Sequence, residues 1–157
     1  MKKAITLIAF YILGVGSTLG WYGSYMWLSE WQSEITVFDD YTIEKEDMTK
    51  TVNEWSLKNK GYEYEELPTL CEFAKLRVKE IENDWSHDGF RKLTNQIRKD
   101  TNAADLGENL AKDFADEPGV LTGWLNSPPH RKVLDHPYTH MCIETDGNHV
   151  VQLFATF

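Results

Sequence analysis

A chain of 157 residues has room for one domain and an appendage. Hydrophobic content of 41% and aromatic content of 13% suffice for a packed core, while a formal net charge of -9 opposes phosphate backbones and anionic lipid surfaces. Outside Lys2 and Lys3, 14 basic residues face 25 acidic ones with no Arg/Lys cluster to offset them, so nucleic acid is not an expected partner.

Lys2-Lys3 precedes an uncharged stretch, residues 4–29, that carries Ile5, Leu7, Ile8, Phe10, Ile12, Leu13 and Val15 and then Trp21, Tyr22, Tyr25 and Trp27. About 20 apolar residues cross a bilayer, and aromatic residues collect at its interface. The lysines on one side and Glu30, Glu34, Asp39 and Asp40 on the other predict a single-pass transmembrane anchor over 1–29. Residues 4–28 would lie in the membrane, with the N-terminus cytoplasmic and the remainder extracytoplasmic. The alternative is a cleaved signal peptide with an apolar core at Ala4–Leu13 and a small-residue site at Val15-Gly16-Ser17, which secretes the rest.

Residues 30–47 are acidic and without a clear period, and read as a stalk or packed extension in which Phe38 and Tyr41 touch the domain. The domain proper is placed at 48–157. Met48–Asn59 is predicted helical, with Met48, Val52, Trp55 and Leu57 as an imperfect stripe and Lys60-Gly61 as its end. Leu67, Leu70, Cys71, Ala74, Val78 and Ile81 form one apolar helical face, and Pro68 suits its first turn. Phe90–Lys99 and Gly119–Asn126 also read as helices, the second ended by Pro128-Pro129. Thr139–Thr145 and His149–Thr156 read as a hairpin around an Asp146-Gly147 turn. Val151, Leu153, Ala155 and Phe157 share one face, with Phe154 and Phe157 as core. Helices followed by a terminal antiparallel hairpin indicate the α+β class.

Three strings carry more specific information: Ser86-His87-Asp88-Gly89-Phe90, Gly107-Glu108-Asn109-Leu110-Ala111, and Trp124-Leu125-Asn126-Ser127-Pro128-Pro129-His130-Arg131. In this order and spacing they resemble the signature of the CAP superfamily (cysteine-rich secretory proteins, antigen 5 and pathogenesis-related 1 proteins; SCP domains), of bacterial or phage type. Val52-Asn53 also resembles the pair that opens bacterial CAP domains, although Trp55 stands where the family often has Arg. The resemblance implies an α-β-α sandwich over about 48–157. It also implies a central cleft lined by His87, Glu108 and His130, with the two histidines able to hold a divalent ion. Eukaryotic relatives usually place a second glutamate three residues after the tryptophan matching Trp124; here that residue is Ser127.

The chemistry of the three residues agrees with this. Neutral imidazoles bind zinc and similar ions, and a nearby carboxylate can coordinate, orient a histidine or accept a proton from bound water. Spacings of 21 and 22 residues make no local metal motif, so only the fold can assemble them. Taken singly, His87 also suits a helix cap, Glu108 a Gly-Glu-Asn corner accepting backbone N–H bonds, and His130 an exposed helix start. His136, His140 and His149 match no histidine of the signature and read as loop or surface residues. Trp85 and Trp124 read as core or cleft wall. Cys71 and Cys142, in an extracytoplasmic domain, are expected to form a disulfide, with two buried thiols as the alternative. No GxSxG, P-loop or HExxH is present.

The expected function is therefore binding of a lipid-like or cell-envelope ligand in the cleft, with a divalent metal, zinc foremost, as the candidate cofactor at His87 and His130. The rival is a metal-assisted hydrolase of peptide or peptidoglycan with Glu108 as its catalytic base. A third reading is a non-catalytic envelope adaptor.

Overall fold

The computed structural model describes residues 42–157. The expected anchor at 4–28 lies outside the described residues, and no helix among them is long and apolar enough to cross a membrane. Ile43 is fully buried in the core, so packed structure begins inside the segment read as stalk or extension.

Five helices and four strands follow in the described residues. Helix α1 spans Lys45–Lys60 and β1 Glu65–Glu66. Helices α2 and α3 span Pro68–Ile81 and Asp88–Thr101. Strand β2 covers Asp105–Ala111, α4 Glu117–Asn126 and α5 Pro128–Asp135, and β3 (His140–Asp146) and β4 (His149–Thr156) close the chain.

The helix ends have local causes. Helix α1 has Glu46 and Asp47 in its first turn and Lys58 and Lys60 in its last, which complements the helix dipole. It stops at Gly61, whose φ of 84° lets its N–H return to the Leu57 and Ser56 carbonyls. Pro68 opens α2, where a missing N–H costs nothing. Asp116 caps α4 by accepting from the Gly119 N–H at 2.7 Å. Ser127, extended at φ -96° and ψ 112° as a residue before proline should be, ends α4 and begins α5. The proline pair thus stops one helix and, at its first positions, starts the next.

The strands form one sheet in the order β1-β3-β4-β2, with β1 parallel to β3 and the other pairs antiparallel. Helices cover both faces. On one side α2 and α3 enclose a core of Leu70, Ala74, Val78, Ile81, Ile97, Leu110, Val151, Leu153 and Ala155. On the other, α1, α4 and α5 enclose Met48, Val52, Val120, Trp124, Leu134, Met141, Ile143, Val150 and Phe154. Burial on both faces explains why β4 reads as a nearly unbroken apolar run. The disulfide expected between Cys71 and Cys142 is present, with sulfurs 2.05 Å apart, and ties α2 to β3.

Three local expectations are corrected. Asp146 pairs with His149, so the turn is Gly147-Asn148, one residue later than predicted, with Gly147 at φ 57° as its first position requires. Phe157 is 56% exposed because the strand ends at Thr156, whereas Phe154 is buried as expected. Glu108 sits in the middle of β2, not at a corner, because the Gly-Glu-Asn run pairs in register with Phe154, Leu153 and Gln152.

Candidate functional site

Strand β2 lies at the sheet edge, and the helix layers meet above it. A cavity of about 480 Å³ opens there. Helix α3 and its cap contribute His87, Phe90 and Arg91; β2 contributes Leu106, Gly107 and Glu108; α5 contributes Pro129, His130 and Val133; Tyr138 completes the wall. The fold thus brings His87, Glu108 and His130 into one cavity, and the two imidazole rings lie 6.3 Å apart between centroids.

Each residue is held differently. Glu108 alternates toward the α2 face, where its Oε1 accepts from Arg77 Nε at 2.8 Å and its Oε2 accepts from His87 Nδ1 at 2.7 Å. Arg77 Nη2 adds a longer contact to Oε2 at 3.5 Å. The Glu108 side chain is 1% exposed and the Arg77 side chain 0%. Arg77 also donates to Glu80 and to the Ser86 carbonyl, so a single guanidinium fixes the strand carboxylate and the segment leading to His87. Burial alone would lower the Arg77 pKa, but the hydrogen bond and charge of Glu108, then those of Glu80, outweigh it and hold the pKa raised.

His87 occupies the cap position of α3 but makes no side-chain capping bond; its ring turns to Glu108 instead. Its side chain remains 45% exposed toward the cavity. His130, on the opposite wall, is partly buried, and burial followed by the proximity of His87 pushes its pKa below the usual 6.5. Ser127 starts α5 without using its hydroxyl as a cap.

Two glycines make the arrangement possible. A Cβ on Gly107 would lie 2.7 Å from the Tyr138 hydroxyl and 2.9 Å from its ring, so the tyrosine packs on bare backbone. A Cβ on Gly89 would collide with the Arg77–Glu80 pair.

No family model matches the sequence. The structure is similar to that of a cysteine-rich secretory protein from Staphylococcus aureus, at 20% identity and a TM-score of 0.61 over 71% of this chain and 38% of that one. It is similar to an extracellular SCP-domain protein from Bacillus anthracis, at 20% and 0.61 over 72% and 40%. It is similar also to an outer surface protein from Borrelia burgdorferi, at 25% and 0.61 over 74% and 97%. The chain has the CAP fold. In sequence, the chain is 43% identical over 49 residues to the membrane protein YlbC of Bacillus subtilis, which is 31% of this chain and 14% of that protein. The chain therefore spans well under two thirds of YlbC and of the first two structures.

Arg77 and Tyr138 belong to the site but to none of the three sequence strings. Arg77 stands seven residues after Leu70, three after Ala74 and four before Ile81, on the helix face that enters the core. A charged residue on an apolar face was the available signal, since burial of arginine requires a partner. Tyr138, stacked on Phe154 with centroids 5.1 Å apart, had no such mark. Trp124 is buried and donates from Nε1 to the Leu110 carbonyl at 2.9 Å; Trp85 is 41% exposed.

His136, His140 and His149 stay outside the site, beside Tyr138, Phe157 and Trp85 respectively. Strand register places His140 opposite Ala155 and His149 opposite Asp146, so they do not face each other. Among the described residues, the group of acid, cysteine or histidine ligand atoms lying within 4.8 Å of one another is Glu66 with Cys71 and Cys142, and its sulfurs are bonded to each other.

Proposed function

We propose that the chain is a membrane-tethered, extracytoplasmic CAP domain whose cleft binds a lipid-like or cell-envelope molecule together with a divalent ion, zinc foremost, held by His87 and His130. The disulfide supports an oxidising location, and an extracellular SCP-domain neighbour and the membrane-protein relative support the placement.

The observation that carries the reading is the way Glu108 is used. Both of its oxygens already accept hydrogen bonds, from Arg77 and His87, and its side chain is shut off from solvent. A general base needs a free oxygen within reach of the proton it takes. A carboxylate bonded to the far nitrogen of a histidine is instead the usual brace of a metal ligand, which fixes the tautomer and directs the other nitrogen outward. The donor set fits this: Nδ1–H of His87 donates to Glu108 and leaves Nε2 for the cleft, while burial keeps His130 in the neutral form that binds metal. A bound ion would supply Lewis-acid polarisation of an oxygen ligand. His87 and His130 would hold it, Glu108 orients His87, Arg77 orients Glu108, and Phe90, Val133 and Tyr138 would wall the ligand.

Zinc calorimetry on the full-length chain in detergent tests the site. His87→Ala and His130→Ala should each weaken binding at least tenfold, since loss of a ligand costs no less than loss of its outer-shell partner. Unchanged affinity in both variants means the site is misassigned. Turnover of labelled peptidoglycan that disappears in Glu108→Ala would move the assignment to the hydrolase.

A further inference from the structure

The cleft floor is not only side chains. Among the described residues, strand β2 has β4 on one side and no strand on the other. The direction of each backbone group follows from two hydrogen bonds and the register. Thr139 N–H donates to the Ala155 carbonyl at 3.2 Å, so Ala155 faces β3; Ala104 N–H donates to the Thr156 carbonyl at 2.8 Å, so Thr156 faces β2. Backbone direction alternates along an antiparallel strand. Thr156, Phe154, Gln152 and Val150 therefore bond toward β2, and their partners Asp105, Gly107, Asn109 and Ala111 bond toward β4. Leu106, Glu108 and Leu110 turn their N–H and C=O groups outward.

The Trp124 indole covers the Leu110 carbonyl. Among the described residues nothing bonds the outward groups of Leu106 and Glu108, and both residues line the cleft. They present two donor–acceptor pairs about 6.8 Å apart, which is the repeat of an extended peptide. The apolar walls on the two faces, Phe90 from α3 and Val133 from α5, lie where alternate side chains of such a peptide would point. Among the described residues, Arg91 of the lining is paired with Asp88, and Glu108 shares Arg77 with Glu80, so the lining offers no free cation and the ligand class is set by the main-chain edge.

We propose that the cleft captures an extended peptide, which adds as a strand to the free edge of β2 through the main chain of Leu106 and Glu108. This rests on the ligand-binding reading of the cleft and narrows its ligand class to a peptide. The probe is acetyl-Leu-Ala-Leu-Ala with a free C-terminus, titrated into the full-length chain in detergent. N-methylation of its amides one at a time should weaken binding at alternate positions only, by tenfold or more, because only alternate amides face β2. Leu106→Pro deletes only the outward N–H and keeps the β4 ladder, as proline on an edge strand allows; it should lose tenfold more affinity than Leu106→Ala, which keeps that N–H.

No binding at millimolar peptide, a response to N-methylation without alternation, or equal affinity in the two Leu106 variants would overturn the proposal. The N-methyl series uses the unaltered protein and decides the matter if Leu106→Pro does not fold. Zinc binding that persists without peptide binding would remove this inference and leave the metal site standing; peptide binding without zinc would do the reverse.

Discussion

Arg77 and Glu108, 31 residues apart, form an ion pair with Nε and Oε1 at 2.8 Å and both side chains closed to solvent. Removing one partner of such a pair strands a buried charge, at a cost of about 3–5 kcal/mol, whereas replacing both by apolar groups of similar volume is often neutral. Glu108→Leu and Arg77→Met should each destabilise by that order in urea unfolding. The double variant should recover most of the loss, less what Glu80 and the Ser86 carbonyl lose with the guanidinium. Additive losses would show that the pair acts independently of its burial.

The bond from His87 Nδ1 to Glu108 Oε2, 2.7 Å long, makes a separable prediction. Glu108→Gln keeps the side-chain shape but weakens the acceptor that orients His87. Outer-sphere changes of this kind typically cost 10–100-fold in metal affinity. Zinc affinity in Glu108→Gln should fall within that range, and that of Ser127→Ala should not change. An unaltered zinc affinity in Glu108→Gln would mean that the carboxylate does not brace the histidine.

The Cys71–Cys142 bridge closes a sequence separation of 71 residues. In the chain-entropy account a loop of this size contributes about 4 kcal/mol by restricting the unfolded chain. Cys71→Ala/Cys142→Ala should lower stability by up to that amount without altering the cleft, because both residues belong to the α2-side core and neither lines it. The check is urea unfolding of the double variant beside zinc titration of the same sample.

How much of this was legible depended on how many surfaces each segment serves. Helix α2 has one buried face, so Leu70, Ala74, Val78 and Ile81 mark it plainly and Pro68 marks its start. Strand β2 is covered on both faces and carries Glu108 toward Arg77 and Asn109 toward Gln152. Its polar residues obey no alternation because their partners lie in other segments, and so the run read as a corner. The hairpin turn slipped by one residue because Asp-Gly and Gly-Asn are both competent turn pairs, and the choice is made by pairing of Asp146 with His149. The three site residues were found through a resemblance of motifs, not through local spacing. Arg77, which holds two of them in place, belongs to none of those motifs.

Gly107 and Tyr138 meet in the cleft wall, the tyrosine against bare backbone. With a Cβ only 2.7–2.9 Å from the tyrosine hydroxyl and ring, Gly107→Ala must displace Tyr138 from its stack on Phe154. Overpacking of this kind costs about 1–3 kcal/mol. The stability loss should be largely relieved by Tyr138→Leu in the same chain, which removes the hydroxyl and shortens the side chain. Thermal unfolding of the two single variants and the pair gives the coupling; strict additivity would show that the glycine is present for some other reason.

His130 gives the molecule a defined pH dependence. Burial first, and then His87, hold its folded pKa below 6.5, so the native state resists the proton that the unfolded chain accepts near that value. Between the two values the unfolded chain binds more protons, and the stability of the fold therefore falls as pH drops below 6.5 toward the lowered native pKa. Above 6.5 the contribution is complete. Arg77, whose pKa is raised above the ordinary guanidinium value, titrates far above this window, and Asp88, lowered from 3.8 by the hydrogen bond and then the charge of Arg91, titrates below it. His130→Gln should thus flatten the decline in unfolding free energy between pH 7 and about pH 5 that His130 produces. His136→Gln, at a half-exposed ring beside Tyr138, serves as the comparison. Urea unfolding across that range, without metal, makes the measurement; an identical slope in His130→Gln and the parent would show that the His130 ring takes its proton as readily in the fold as out of it.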